Sequence, residues 1–216
     1  MKIGILGTGM VGTTLGSKLI QLGHEVKLGS RSANNEKAAE WVRTAGRQAS
    51  QGTFADAAAF GEVVLNCTSG GASLEALRMV EVAHLRGKVL VDVANPLDFS
   101  KGQPPFLSVA NTDSLAEQIQ AAFPEAKVVK ALNTMWCGIM VNPRMLPDTH
   151  HTFLSGNDAT AKATVKELLR SFGWQEGEIL DLGDITTARG TEMILPLWVR
   201  VWGATQNGAF NFKIVS

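Results

Sequence analysis

Tyrosine is missing from this 216-residue chain, and cysteine occurs only twice, at Cys67 and Cys137. Without tyrosine, the Tyr–Lys proton-transfer pair used by many carbonyl reductases is impossible. Two thiols in apolar surroundings are too few for a disulfide scaffold, so reduced cysteines in a cytoplasmic protein are expected. Surplus charge is missing too: 20 Lys and Arg balance 20 Asp and Glu, with no long block of either sign. Nucleic-acid binding driven by net charge is therefore not expected. No apolar run approaches the roughly 20 residues that span a bilayer. The nearest, MILPLWVRVW at 193–202, is interrupted by Pro196 and Arg200 and reads as a buried or interfacial helix. No membrane partner is expected, and the strand character right after the first Lys argues against a secretory leader. His and Cys spacing points to no metal site.

What is present is an ordinary globular composition, 45% hydrophobic and 19% charged, enough for one domain with a small appendage. Short apolar strands alternate with helical patterns. Lys2 to Leu6 reads as a buried strand, and Val11, Leu15, Leu19 and Leu22 mark one face of the helix that follows. Val26–Leu28, EVVLN, KVLVDV, KVVKAL, HTFLSG and EILDLG read as further strands. The helical stretches between them centre on residues 38–45, 72–82, 114–123 and 158–172, and a last one begins near Ile185. Such alternation implies a parallel sheet covered on both faces. The remainder after that last stretch reads as a loose tail.

Gly7-Thr8-Gly9-Met10-Val11-Gly12 matches G-x-G-x-x-G between a strand and a helix, the context that gives the motif weight. Gly7 permits the tight turn, Gly9 lets the backbone approach a pyrophosphate, and Gly12 brings helix and strand together. Amides at the helix start, from Met10 and Val11 onward, then face anionic oxygens. A ribose-binding acid is usual about 20 residues on, but here the second strand ends in Leu28-Gly29-Ser30-Arg31-Ser32. A carboxylate would repel a 2′-phosphate, whereas a guanidinium holds one by two parallel hydrogen bonds. With Ser30 and Thr8 beside it, Arg31 points to NADP(H) rather than NAD(H); an Arg31 that merely faces solvent is the alternative. The fold expected is α/β: a Rossmann-like parallel sheet with helices on both faces and a small C-terminal helical appendage. Residues 1–150 would form the nucleotide-binding domain and 151–216 an extension on the same core.

Ligands of open parallel sheets sit beyond the carboxyl ends of the strands. Three ends therefore matter: Cys67-Thr68-Ser69-Gly70-Gly71, Asp92-Val93-Ala94-Asn95-Pro96 and Asn133-Thr134-Met135-Trp136-Cys137. Thr68 and Ser69 offer hydroxyls, and Ala94 precedes an asparagine set by Pro96. Asn95 and Asn133 carry both donor and acceptor, suited to a carboxamide or to tying loop backbone. Met135 and Trp136 suit either the wall of a slot for a flat ring or core filling. Proton-transfer groups are scarce near these loops, and Cys137 lacks a neighbouring His. That scarcity suits hydride exchange between two bound rings, which asks for distance, angle and exclusion of water.

On KIGILGTGMVG, LGHEVKLGSR, CTSGG, DVANPLD, VVKALNT and ARGTEMILPLWVRVWG, the chain resembles the NADP-dependent oxidoreductases of the coenzyme F420 family over nearly its whole length. The resemblance implies a nucleotide-binding domain with a small C-terminal appendage, often homodimeric. It also implies hydride passage between NADPH and a deazaflavin, with no indispensable catalytic side chain. The family's 2′-phosphate contacts fall on Thr8, Ser30 and Arg31, and its ring-binding loops near Thr68, Asn95, Asn133 and Met135. Thr134-Met135-Trp136-Cys137 departs from the smaller Pro/Ala stretch of archaeal members, so bulky Trp136 bears on whether the deazaflavin slot stays open. A flavin, quinone or small carbonyl acceptor, or a non-enzymatic NADPH sensor, are the alternative readings.

Overall fold

Alternation within each strand decides the architecture. In the computed structural model, which describes residues 1–215, β1 (Lys2–Leu6) sends Ile3 and Ile5 to one face and Leu6 to the other. The same two-residue period holds in β4 (Val63–Asn66), β5 (Val89–Asp92) and β8 (Lys127–Ala131). Val63, Leu65, Val91 and Val129 share a face with Ile3, while Val64, Leu90 and Val128 share the opposite one. A sheet apolar on both sides must be covered on both. One face takes α1 (Met10–Gln21), α2 (Glu36–Ala45), α6 (Cys137–Val141) and α7 (Ala159–Phe172). The other takes α3 (Phe54–Phe60), α4 (Gly70–Arg78), α5 (Leu115–Ala122) and α8 (Ala188–Met193).

Eight strands make the main sheet. With β2 (Glu25–Ser30), β3 (Ala49–Thr53), β9 (Thr152–Gly156) and β10 (Ile179–Asp181), the order is β10-β9-β8-β5-β4-β1-β2-β3. The expectation of a wholly parallel sheet needs one correction: β9 runs antiparallel to β8, and β10 follows β9 in direction. The cause lies in the connection. Between β8 and β9 the chain forms only the five-residue α6 and a short turn at Pro143–Met145, with no full-length crossover helix of the kind that returns a chain for parallel pairing. Strands from both sides of residue 150 share this sheet.

β3, with sequence ASQGT, has no apolar alternation and escapes a pattern reading; its place at the sheet edge makes that tolerable. A small antiparallel hairpin pairs β6 (Leu97–Asp98) with β7 (Phe106–Leu107). α9 (Leu195–Thr205) follows α8, and the chain beyond it is not the loose tail expected. His151 donates its amide to the Phe212 carbonyl at 3.0 Å and accepts from the Ile214 amide at Nδ1, also at 3.0 Å. Asn211 sits 2.7 Å from His150 Nδ1 and donates to the His151 carbonyl at 2.9 Å. Phe210 stacks on Trp198 with centroids 5.3 Å apart.

α3 lies against β1 with little clearance, and its sequence FADAAAF supplies small residues for that approach. On the strand side the matching residue is Gly4, where an added Cβ would stand 2.1 Å from the Ala57 carbonyl oxygen. Backbone cannot yield as a flexible side chain does, so α3 would have to move. Gly4→Ala is expected to cost about 1–3 kcal/mol, the usual range for overpacking, measured by urea unfolding. A loss within the scatter of wild-type replicates would refute this account of the α3 contact.

Candidate coenzyme and acceptor site

The chain builds β1, β2 and β3 outward in one direction, then returns to place β4 on the other side of β1. A crevice opens at such a reversal, beyond the carboxyl ends of the two central strands. Here the ends are Gly7–Gly9 and Cys67–Ser69, which line a cleft of about 440 Å³. Gly7 has φ +121°, and a Cβ there would lie 2.5 Å from the Cys67 carbonyl. Gly12 is equally closed, its added Cβ 2.3 Å from the Gly7 carbonyl. Gly9 is the contrast: nothing comes within 4 Å of an added Cβ. The motif's outer two glycines serve packing, and the middle one faces open space where a ligand's phosphates would approach. Gly9 also caps α1, whose first amides are open at this end.

Arg31 is exposed and lines the same cleft. Ser30 is buried behind it; its hydroxyl donates to the Ser32 carbonyl at 2.5 Å and accepts from the Ser32 amide at 3.3 Å. Ser30 thus shapes the turn that presents Arg31. Thr8 borders the cleft, as do Thr68 and Ser69. The Thr68 hydroxyl donates to Asn66 Oδ1 at 2.7 Å, whereas Ser69, the residue before α4, makes no capping bond with its side chain. Ser32, Asn35, Phe54, Glu75 and Met79 also line this cleft and were not singled out from sequence. Ser32, Asn35 and Phe54 lie within a few residues after a strand end, whereas Glu75 within α4 and Met79 at its far end carry no such local signal.

The other two strand-end loops are tied together. Asn95 Nδ2 donates to the Asn133 carbonyl at 2.7 Å, and Asn133 Nδ2 donates to Asn95 Oδ1 at 2.9 Å and to the Thr191 carbonyl at 3.1 Å. Their side chains therefore join loop to loop, as one of the two sequence-level readings had it. Ala94 is buried, its amide held by Asp92 Oδ1 and its carbonyl by Lys130. Met135 is buried in the core rather than in a slot. Val11 packs against that same core, and Met10, 64% exposed, stands at a second pocket.

That second pocket, of about 450 Å³, is walled by Met10, Leu97, Phe99, Trp136, Trp198 and Trp202, with the tail at Asn207–Ala209 closing it. It adjoins the cleft at the phosphate loop, where Met10 follows Gly9, while Leu97 and Trp136 come from the loops after β5 and β8. Trp136 borders open space instead of filling it. Gln103 and Asn207 bring polar side chains, and among the described residues no charged side chain lines it. Phe99, Trp202 and the tail carry no local sequence signal; only the returning C-terminal segment brings them here.

Arg31 and Glu75 bring charge to the polar cleft, and no histidine lines either pocket among the described residues. Burial, aided by the Asp92 carboxylate, pushes the Cys67 thiol far above its ordinary range, so it offers no thiolate. Cys137 is buried and accepts a weak bond from Thr14 Oγ1 at 3.6 Å. His24 approaches the N-terminal amine at 3.3 Å, and His150 is spent on the Pro143 carbonyl and Asn211. No helix among the described residues is long and apolar enough to cross a membrane.

Residues 2–96 match the family model described as NADP oxidoreductase, coenzyme F420-dependent. A crystal structure of a putative F420-dependent NADP-reductase from Arthrobacter sp. FB24 superimposes with a TM-score of 0.94, at 51% identity and with both chains covered completely. The chain belongs to the F420-dependent NADP oxidoreductase family. Membership makes it an NADP(H)-dependent oxidoreductase. The F420-dependent NADP reductase of Methanothermobacter marburgensis is 27% identical over 93% of this chain and 92% of its own. Metalloreductase STEAP3 of Rattus norvegicus is 32% identical over 91% of this chain, which spans only 38% of that protein.

Loop spacing at the cleft depends on Gly70, where an added Cβ would fall 1.9 Å from the Asn95 carbonyl oxygen. Gly70→Ala must push the loop after β4 away from the loop after β5. A displacement costing about 1.4 kcal/mol weakens binding tenfold. NADPH affinity, measured by calorimetry, should fall by about that factor or more; an unchanged Kd would refute the coupling of these loops to the coenzyme.

Proposed function

We propose that the protein transfers hydride between NADP(H) in the polar cleft and a flat-ring acceptor, a deazaflavin of the F420 type first among them, in the tryptophan-walled pocket. The observation that carries this reading is the placement of the two cavities on either side of Gly9-Met10, one polar and bordered by Arg31, the other apolar and aromatic. The reduced dinucleotide has a charged adenosine and pyrophosphate end, suited to the polar cleft, and a neutral dihydronicotinamide ring that would face the apolar pocket where the acceptor stacks.

In this reading Arg31 holds the 2′-phosphate through charge-assisted bonds, with Thr8 and the Ser32 turn beside it. The amides of Gly9, Met10 and Val11 receive the pyrophosphate. Thr68, Ser69, Ala94, Asn95, Asn133 and Met135 set the ring end, the last four chiefly by fixing backbone. Ser30 acts through the turn it braces. When bound, NADPH supplies the hydride. The apolar walls exclude water, which protects the reduced ring and keeps the rings in register. Gln103 and Asn207 are amides, so the pocket's side chains offer no proton at neutral pH. A ring acceptor accommodates its negative charge by delocalisation, whereas an imine or carbonyl acceptor asks for a proton donor. The residues therefore favour a deazaflavin, flavin or quinone over a small carbonyl compound. We read residues 1–150 as the coenzyme-binding part and 151–216 as an extension that completes the sheet and walls the acceptor. We also read the protein as cytoplasmic, and a homodimer as its state in solution.

Two outcomes test the assignment. A hydrogen bond to a charged group contributes about 1.5–3 kcal/mol, so Arg31→Ala should weaken NADPH binding by about tenfold or more and leave NADH nearly unaffected. Equal losses for both nucleotides would remove the 2′-phosphate contact. Trp202→Ala should raise KM for the acceptor without changing NADPH Kd, when NADPH oxidation is followed with F420, FMN and a quinone in turn. An acceptor KM indifferent to Trp202 would place the second ring elsewhere.

A further inference from the structure

Three charges lie in the sheet's interior, outside both pockets. Lys130 on β8 is 1% exposed, Asp92 at the end of β5 is 0% exposed and Glu192 on α8 is 1% exposed. The Lys130 ammonium spends its three donors on Asp92 Oδ2 at 2.8 Å, Glu192 Oε1 at 2.7 Å and the Ala94 carbonyl at 2.5 Å. Asp92 Oδ1 accepts from Asn66 Nδ2 at 2.9 Å and from the Ala94 amide at 3.2 Å. Asn66 in turn accepts from the Thr68 hydroxyl at 2.7 Å. Glu192 accepts from the first two amides of α5, Leu115 at 2.8 Å and Ala116 at 3.1 Å.

Each of the three loops at the ring end is thereby attached to one ammonium. Ala94 is bound to it directly, and Thr68 through Asn66 and Asp92. Asn133 is attached through the Thr191 carbonyl, one residue before Glu192. Leu132, just before Asn133, has φ +63°, a conformation a leucine keeps only when its surroundings impose it. α8 also runs into α9, which carries Trp198 and Trp202 of the acceptor wall. A second tie holds α8 in place: Arg189 donates Nε to Glu117 Oε2 at 2.8 Å and Nη2 to Glu117 Oε1 at 2.5 Å. The Arg189 hydrogen bonds hold the Glu117 carboxyl below its usual range.

We infer that Lys130, Asp92 and Glu192 form a positioning triad that fixes the acceptor wall relative to the loops holding the nicotinamide. None of the three touches either ring. They act by joining β5, β8, α5 and α8 at the point from which all three loops leave. The inference rests on the hydride-transfer reading for its kinetic consequence, but not for its geometric one.

Removing one charge alone leaves its partners uncompensated in the interior, so the decisive variant removes all three. Lys130→Met, Asp92→Asn and Glu192→Gln together keep the shapes, and each new amide oxygen retains an acceptor, for the Ala94 amide and for one of the two α5 amides. Glu192→Gln alone is measured beside it and serves if the triple variant does not fold. The readouts are Tm, NADPH Kd, the single-turnover rate of NADPH oxidation at saturating acceptor, and the fluorescence lifetimes of bound NADPH. Misplacing reacting atoms by about 1 Å slows such a step about 100-fold. The expected result is a loss of that order in rate, with Kd close to wild type and the bound-coenzyme lifetime split into several components. An unchanged rate with a single lifetime would overturn the triad's role. So would a rate loss that only follows a lower Tm or a weaker Kd. If the wild type oxidises NADPH with none of the ring acceptors, the acceptor reading falls, and the lifetimes alone decide the positioning claim.

Discussion

A buried ammonium is the constraint on which the middle of this molecule depends. Lys130 cannot be hydrated where it sits, and withdrawing an ion from water costs several kcal/mol even after the protein relaxes. Its three donors must therefore be met, and they are met by three different segments: β5, the turn after β5, and α8. Two carboxylates facing one ammonium leave a negative surplus. The first amides of α5 answer it, because a helix start carries partial positive charge. Burial pushes the Glu192 carboxyl upward, against the pull of Lys130. Such an arrangement is weak evidence for stability, since apolar residues could fill the same volume. What it gives is a fixed relation among elements that hydrophobic packing would allow to slide.

The polar cleft and the apolar pocket divide the work differently between backbone and side chain. The polar cleft is built mostly from backbone, with Gly7 and Gly12 allowing close packing, Gly9 facing open space and the Arg31 guanidinium at its border. The apolar pocket, where the proposed function puts the acceptor, is made of indole and phenyl rings from α9, the hairpin loop and the tail. The tail is held by hydrogen bonds to His150 and His151, and Phe210 stacks on Trp198. Because Asn207–Ala209 line the pocket beside residues from the hairpin loop and α9, its wall forms only once these distant segments have packed together.

That division explains what could be read in advance. The strand–GxGxxG–helix unit and the Ser30-Arg31 turn are local, spanning about thirty residues, and their chemistry follows from residue type and spacing. The two-face core was legible as well, because Ile3, Ile5, Val64 and Leu90 obey a two-residue period. β3 was not, because ASQGT is paired through its backbone and buries little apolar surface. Nor was the reversal at β9, since an apolar strand reads the same in either direction. Asn95 and Asn133 were singled out correctly as strand-end residues, but the bonds between their side chains depend on a meeting of residues 38 positions apart. The ionic triad joins positions 92, 130 and 192 and has no local signature at all.

Relatives with different redox roles can share a chain of this kind for the same reason. The match to the rat metalloreductase covers nearly all of this protein and a minor part of that one. A coenzyme site made of backbone tolerates wide change in side chains elsewhere, whereas an acceptor site made of side chains changes with each ring replaced. Trp136, Trp198 and Trp202 can therefore alter what is reduced without disturbing Gly7–Gly12 or Arg31. The positioning triad lies between the two and serves any acceptor, because it sets where the wall stands and leaves its composition free. Family membership accordingly speaks to the electron donor, and on the proposed function the three indoles bear on the acceptor.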